Sequence, residues 1–326
     1  MKVLVTGGTG FIGSHLVERL VREGHQVRCV AKDRLHSVYL ESLGIELMLG
    51  DLNNGMDLEA ILDGVECIYH LAGVTRARLN KDYYEGNYLT TKNFINICAR
   101  SSNKFERFVY VSSQAAVGPA LDGRPVTEKD PYQPVSHYGK SKMLAEKEVL
   151  RYRDKVPITI IRPAAVYGPR DREMLQYFLL IKKHLQLLIG FRKKWLNFVY
   201  VDDLVDGLLL AGEHPRAEGE SFFIGSEESC TTEDIGNTVA SILNRRPICF
   251  RVPHLVVFSV AAIAEGFGKL TGKPIFFNLQ KAKESVQPSW IFSVEKAKSK
   301  LGFSPRVSLE EGMKRTYQWY EANDWL

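Results

Sequence analysis

Along the first half of the chain, short apolar clusters alternate with longer stretches whose apolar positions recur every three or four residues. The opening cluster, Lys2-Val3-Leu4-Val5-Thr6, has the composition of a strand buried on both faces. A turn follows with glycines at 7, 8, 10 and 13. Then residues 14–23 set Leu16, Val17, Leu20 and Val21 at helical spacing, until Gly24 stops the helix. The unit repeats. Segments 26–31, 45–52, 67–73, 108–113 and 157–163 read as further strands, and 221–225 as a late one. Residues 82–101 carry Tyr84, Tyr88, Phe94, Ile95 and Cys98 on a helical period, and 136–147 reads as another helix. Strands alternating with helices predict an α/β fold, a doubly wound parallel sheet covered on both faces.

The first strand, glycine turn and helix start form a phosphate cradle. Positions without side chains let a pyrophosphate approach the backbone, where free N–H groups and the helix dipole favour its charge. The end of the second strand bears on the adenosine ribose. A carboxylate there would bind both ribose hydroxyls and favour NAD. The chain instead has Ala31, flanked by Lys32 and Arg34, which suits a 2′-phosphate and points to NADP. NAD is the alternative, with Asp33 serving the ribose. Tyr138 and Lys142, four apart, share a helix face. Hydride transfer at a carbon bearing oxygen needs a proton partner, which a tyrosine supplies if its pKa of about 10 falls. A nearby ammonium favours the phenolate, and a serine hydroxyl can steady charge on the same oxygen.

Together these motifs resemble the extended short-chain dehydrogenase/reductases, the NAD-dependent epimerase/dehydratase family. The shared features are the Thr-Gly-Gly opening with Gly7, Gly10 and Gly13; Gly50-Asp51-Leu52; His70-Leu71-Ala72-Gly73; Tyr138-x-x-x-Lys142; Arg162-Pro163-x-x-Val166-Tyr167-Gly168-Pro169; and a closing pattern between 295 and 312. The resemblance spans nearly the whole chain and implies a Rossmann-type core over 1–168, with returning segments near 198–226. A smaller substrate lobe would occupy 169–197 and 227–326. It implies Ser113, Tyr138 and Lys142 as the catalytic set, with Ser113 chosen over Ser112 because it lies five residues before Gly118. It places Gly7, Gly10, Phe11, Ile12 and Gly13 on the pyrophosphate, Lys32 and Arg34 on the ribose phosphate, and Asp51 and Leu52 on the adenine. Leu71, Ala72 and Gly73 would run beside the cofactor, with Asn87 in a supporting role. Pro163 and Val166 would cover the nicotinamide end, and Tyr138 and Lys142 would also touch the cofactor. It further implies a homodimer built on helices near 82–101 and 138–153.

Within the family the chain resembles the dihydroflavonol-reductase and 3β-hydroxysteroid-dehydrogenase-like branch. That implies an oxidoreductase acting on a secondary alcohol or ketone of a bulky small molecule. A nucleotide-sugar epimerase with tightly held NAD is the alternative, and a non-catalytic NADP-binding scaffold ranks last. Leu196 stands where such epimerases place a pyrophosphate-gripping Arg, although Arg192, Lys193 and Lys194 are near it. Gln114 replaces the acid that dehydratases use, which argues against 4,6-dehydration.

The 326 residues accommodate this architecture, with 45% hydrophobic and 25% charged residues. A net charge of +5 is too mild and dispersed to argue for nucleic acid. The first strand begins at residue 2, leaving no room for a signal peptide, so a cytoplasmic location is expected. Cys29, Cys67, Cys98, Cys230 and Cys249 have no metal-ligand spacing; they read as buried free thiols, with no metal site. Residues 255–270 are unusually apolar but too short to span a membrane. They read first as a core helix of the substrate lobe, and otherwise as a surface that touches a membrane or a greasy substrate.

Overall fold

A computed structural model describes residues 1–32, 37–53, 58–271 and 277–326. Among these residues the first six strands are β1 (Lys2–Thr6), β2 (Gln26–Ala31), β3 (Glu46–Leu49), β4 (Cys67–His70), β5 (Arg107–Val111) and β6 (Ile158–Pro163). Seven more follow: β7 (Ala165–Tyr167), β8 (Leu185–Ile189), β9 (Trp195–Tyr200), β10 (Ser221–Ile224), β11 (Ser229–Thr231), β12 (Ile248–Val252) and β13 (Ser289–Trp290). One parallel sheet has the order β10-β6-β5-β4-β1-β2-β3. This is the expected Rossmann-like α/β architecture.

The continuous apolar runs are explained by burial on both faces. Val3 and Val5 pack with Leu16, Leu20 and Leu208 on one side, while Leu4 joins Phe94, Phe108 and Ala145 on the other. The helices Phe11–Arg22 and Val201–Glu213 therefore cover one face, and Thr90–Cys98 and His137–Leu150 the other. The first helix starts at Phe11, earlier than its apolar spacing suggested, because Gly10 takes the extended N-cap conformation.

The rest of the chain builds smaller sheets. β9 is flanked by β11 and β13 and also pairs with β7, while β8 and β12 form a two-stranded parallel ribbon. The segment expected to return to the large sheet near 198 thus does so only from Val201 onward. Asn197 holds β9 elsewhere: its amide donates to the Ser226 carbonyl (2.9 Å) and accepts from the Phe292 N–H (2.9 Å). Helices Arg172–Lys182, Thr232–Ile242 and Leu309–Ala322 close a third apolar cluster around Tyr167, Phe178, Met313 and Tyr320.

Three expectations are corrected. The apolar stretch at 255–270 lies in the helix His254–Thr271, but it is no core helix: Leu255, Ile263 and Leu270 are 77%, 74% and 87% exposed. Among its described residues only a small inner face is buried, Val257 and Ala261 against Ala282, with Gly268 further along. Cys230 is half-buried and Cys249 exposed, because both sit on the smaller strands rather than in the main sheet. Phe94 and Ile95, counted toward a dimer face, are fully buried in the core because their side of the helix lies on the sheet.

Candidate active site

The site begins at the topological switch point. From β1 the chain moves outward through β2 and β3, then crosses to the other side for β4, β5 and β6. A crevice opens there between the C-terminal ends of β1 and β4. Gly7 leaves β1 with φ +76°, and a Cβ on it would lie 2.7 Å from the Ala72 nitrogen. Gly13 packs beneath the turn, where a Cβ would come within 2.2 Å of the Gly7 carbonyl oxygen. A Cβ on Gly10 would meet only the Gly7 oxygen, at 3.2 Å, so its outer side is open. The helix that starts there has no side-chain cap and no acid in its first turn. Its leading N–H groups and positive dipole end therefore remain for an anion, which fits a dinucleotide pyrophosphate. Phe11 and Ile12 are half-buried in that first turn.

At the adenosine side, the exposed Lys32 ammonium lies 2.8 Å from the Asp51 carboxylate and holds it below its ordinary pKa. Leu52 beside it is buried. Asp33 and Arg34 lie outside the described residues, as does Asp57, a candidate helix cap. Between β1 and β4, Thr6 Oγ1 lies 2.7 Å from His70 Nδ1 and accepts from the Ala72 N–H (3.3 Å). His70 Nε2 meets Thr91 Oγ1 at 3.0 Å. Burial, aided by the charge of Lys142, depresses the His70 pKa to about 3. His70 is thus a neutral brace under the loop of Leu71, Ala72 and Gly73. Asn87 braces the same loop from the π-helical turn Tyr84–Leu89. It accepts from the Val74 N–H (2.7 Å) and donates to the Val74 carbonyl (3.0 Å) and Ser141 Oγ (2.9 Å). Gly73 is needed because a Cβ there would lie 2.7 Å from Asn87 Oδ1.

Ser113 lies two residues past the end of β5 and caps the short helix Gln114–Val117 by accepting from the Ala115 N–H (3.1 Å). Tyr138 opens the helix His137–Leu150, which Ser136 caps. The two elements meet because of Gly139, whose missing Cβ would sit 2.2 Å from the Ala115 carbonyl oxygen. Burial raises the Tyr138 phenol to about 12, and a hydrogen bond with the Ser113 hydroxyl pulls the other way. The Ser112 hydroxyl is buried with no hydrogen-bond partner among the described residues. Lys142 is buried, donates to the Val111 carbonyl (2.7 Å) and lies 4.5 Å from the centre of the Tyr110 ring. Burial lowers its pKa to about 7. The expected phenol-lowering ammonium is thus directed at the β5 backbone, and the described groups leave Tyr138 a weak acid.

The linear sequence gave no sign of the charged group around Tyr138. Glu173 lies 3.3 Å from Arg76 and 3.1 Å from Lys281, and Glu284 accepts from Ser136 Oγ (2.6 Å). Burial raises the Glu284 pKa; it opposes, but does not overcome, the pull of Lys281 and Arg76 that holds Glu173 low. These residues lie on three separate segments, so only folding brings them together. Of the cations near Leu196, Lys194 is consumed by the Val286 and Gln287 carbonyls (2.7 and 2.9 Å), while Arg192 and Lys193 are exposed. Leu196 itself packs against the Tyr167 cluster. Pro163 ends β6 beside β10, and Val166 lies half-buried on β7.

Comparison with known proteins gives a consistent result. The sequence model described as "NAD dependent epimerase/dehydratase family" matches residues 3–225. The mouse sterol-4-alpha-carboxylate 3-dehydrogenase, decarboxylating, is 27% identical over 97% of this chain and 90% of its own length. The ceramide reductase of Caulobacter vibrioides is 28% identical, covering 99% of this chain and 96% of its own. Among solved structures, UDP-glucuronic acid 4-epimerase from Bacillus cereus, in complex with UDP-glucuronic acid and NAD, shares the fold. Its TM-score is 0.81 at 24% identity, over 99% of this chain and all of that one.

Proposed function

The chain belongs to the NAD-dependent epimerase/dehydratase family, an enzyme family of extended short-chain dehydrogenase/reductases, and from that premise we propose that it interconverts a secondary alcohol and a ketone on a bulky small molecule. The supporting observation is the apposition of Ser113 and Tyr138 at the end of β5, one helical turn before Lys142 and on the rim of the switch-point crevice.

In this reading the glycine turn and the N–H groups of residues 11–13 hold the pyrophosphate, and Asp51 and Leu52 border the adenine. Lys32, with Arg34, takes a ribose 2′-phosphate, which makes NADP the preferred cofactor over NAD. Lys142 holds the nicotinamide ribose, and the backbone near Pro163 and Val166 lines the nicotinamide end. The bound nicotinamide supplies or accepts the hydride. In ketone reduction the Tyr138 hydroxyl gives its proton to the carbonyl oxygen, while the Ser113 hydroxyl donates a hydrogen bond to that oxygen and steadies its charge. In alcohol oxidation the phenolate takes the proton back. A phenol raised to about 12 is fully protonated near neutrality, which suits the reductive direction. The lobe of 169–197 and 227–326 supplies the substrate walls.

The names of the sterol and ceramide relatives support a large lipid-like substrate. A second reading, nucleotide-sugar epimerisation, has one observation in its favour. Lys281, near Tyr138 and paired with Glu173, could also take an anionic substrate group. Against it, Leu196 faces an apolar cluster and Lys194 is already bound. The deciding experiment follows NADPH oxidation with sterol-like, long-chain and flavonoid ketones, beside calorimetry with UDP and UDP-sugars. Ketone-dependent oxidation that Tyr138→Phe abolishes supports the reductase. Tight UDP binding with a tightly retained NAD overturns it.

A further inference from the structure

The helix His254–Thr271 is amphipathic in the wrong sense for a core element. At about 100° per residue, Leu255, Val256, Val260, Ile263, Phe267 and Leu270 fall within one arc of roughly 140°, and all six are exposed. Ser259 alone adds a polar side chain to that arc. The helix has one acidic residue, Glu265, and its carboxylate turns inward to accept from the Leu279 N–H (3.2 Å). A contiguous apolar stripe of this kind is rare on a freely soluble monomer.

The stripe continues onto its neighbours. Ile248 and Phe250 point from the same face of β12 and are exposed, and Phe250 pairs across the ribbon with the exposed Leu187. Phe191, 71% exposed, stands in the turn after β8. This turn abuts the helix start: a Cβ on Gly190 would lie 2.5 Å from His254 Nε2, and the Phe191 carbonyl accepts from Arg251 (3.4 Å). The next two residues, Arg192 and Lys193, are exposed and form no ion pair within 4 Å among the described residues. At the other end of the ribbon, Lys182 and Lys183 precede β8, and Arg245 and Arg246 precede β12; all four are exposed. Apolar side chains edged by exposed cations match an interface between acyl chains and anionic headgroups.

We infer that this surface docks the protein on an anionic phospholipid bilayer, with the helix lying in the interface plane. No helix among the described residues is long and apolar enough to cross a membrane, so the attachment is monotopic. The charge pattern selects lipid over a second copy of the chain: an isologous contact offers the patch only its own residues, and the apolar stripe and exposed cations named here include no outward carboxylate to meet those cations, whereas anionic headgroups meet them. The inference does not depend on the reaction. It does place the docking face behind the site wall, since the helix Leu279–Ser285 packs on it through Ala282 and carries Lys281 and Glu284 toward Tyr138.

The test is flotation of the full chain with vesicles of phosphatidylcholine alone or mixed with phosphatidylglycerol. Binding to the mixed vesicles is expected, weakening with salt. Ile263→Asp with Phe267→Asp should reduce it at least tenfold. Arg192→Gln with Lys193→Gln should reduce it roughly thirtyfold on the mixed vesicles, from two lost headgroup contacts. Both double variants should keep the wild-type circular dichroism and NADPH titration, since the altered side chains face solvent. Absence of vesicle binding overturns the inference. So does a concentration-dependent dimer in sedimentation velocity that the Ile263→Asp, Phe267→Asp variant dissolves, because the stripe is then covered by a second copy.

Discussion

Gly139→Ala tests whether the meeting of Ser113 and Tyr138 carries the chemistry. In an ordinary helix interior this change stabilises by about 1 kcal/mol. Here the new Cβ would lie 2.2 Å from the Ala115 carbonyl oxygen and 3.1 Å from Pro134 Cβ. The oxygen is backbone in the turn that Ser113 caps, so it cannot swing aside. Ordinary contact requires separating the helix from the turn by about 1 Å, and a misplacement of that size costs on the order of 100-fold in rate. The hydroxyl that Tyr138 brings to Ser113 moves away, while the glycine cradle, on β1, stays put. Turnover should therefore fall by about two orders of magnitude, equivalent to ~3 kcal/mol in the barrier. Cofactor affinity should change by no more than a few-fold. The assay is steady-state turnover beside a fluorescence titration of NADPH, with a thermal melt to show that the variant is folded. A folded Gly139→Ala enzyme with wild-type turnover would refute the argument, since the proton donor would not need that close contact.

Tyr138→Phe should leave the melt and the NADPH titration nearly unchanged and lower turnover by about 10²–10⁴, the usual worth of a positioned proton donor; near-normal turnover sinks the assignment. NADPH should bind more tightly than NADH, and Lys32→Ala should narrow the gap by ~0.5–1 kcal/mol, as for an exposed ion pair; equal affinities in the parent protein reject the NADP reading. Arg162→Met should destabilise by about 3–5 kcal/mol, because it leaves the fully buried Glu146 carboxylate, 2.7 Å from Arg162, with the Tyr132 hydroxyl (2.8 Å) as its remaining hydrogen-bond partner among the described residues; a loss below 1 kcal/mol in urea unfolding would contradict it. Burial lowers His15 to about 4 and His70 to about 3, so the folded state stays neutral where the unfolded chain takes protons. Stability should be full above the ordinary histidine pKa of about 6.5 and fall as pH drops from there toward 4 and below, by on the order of 3 kcal/mol per histidine; a melting temperature flat over that range refutes the neutral assignments.

Much of the site was readable because its parts are local. A parallel strand buried on both faces must be a run of apolar residues, and its end must turn, so Gly7, Asp51, Gly73, Ser113 and Pro163 could each be found at a strand end. Parallel pairing then aligns those ends along one edge of the sheet, which is why segments far apart in sequence serve one crevice. The Tyr138-to-Lys142 spacing is likewise a property of one helix turn. The expected dimer face was harder to read, since Phe94 and Ile95 satisfy a helical period equally well as core or as interface. Periodicity reports which residues share a face and not what lies against it.

The sequence alone therefore determined the order of elements and the parallel architecture, and it nominated the chemistry-bearing residues, all of which depend on contacts within a few residues or on repeating patterns. Tertiary structure alone decided the environment of each group. It directed Lys142 to the Val111 carbonyl and raised the Tyr138 phenol. It bound Lys194 to the Val286 and Gln287 carbonyls and gathered Glu173, Lys281 and Glu284 around Tyr138, with Arg76 on Glu173. It also left the helix His254–Thr271 with its larger apolar face outward. Solvation and charge–charge energies depend on distance in space, so they were fixed only when residues separated by 31 to 148 positions came into contact.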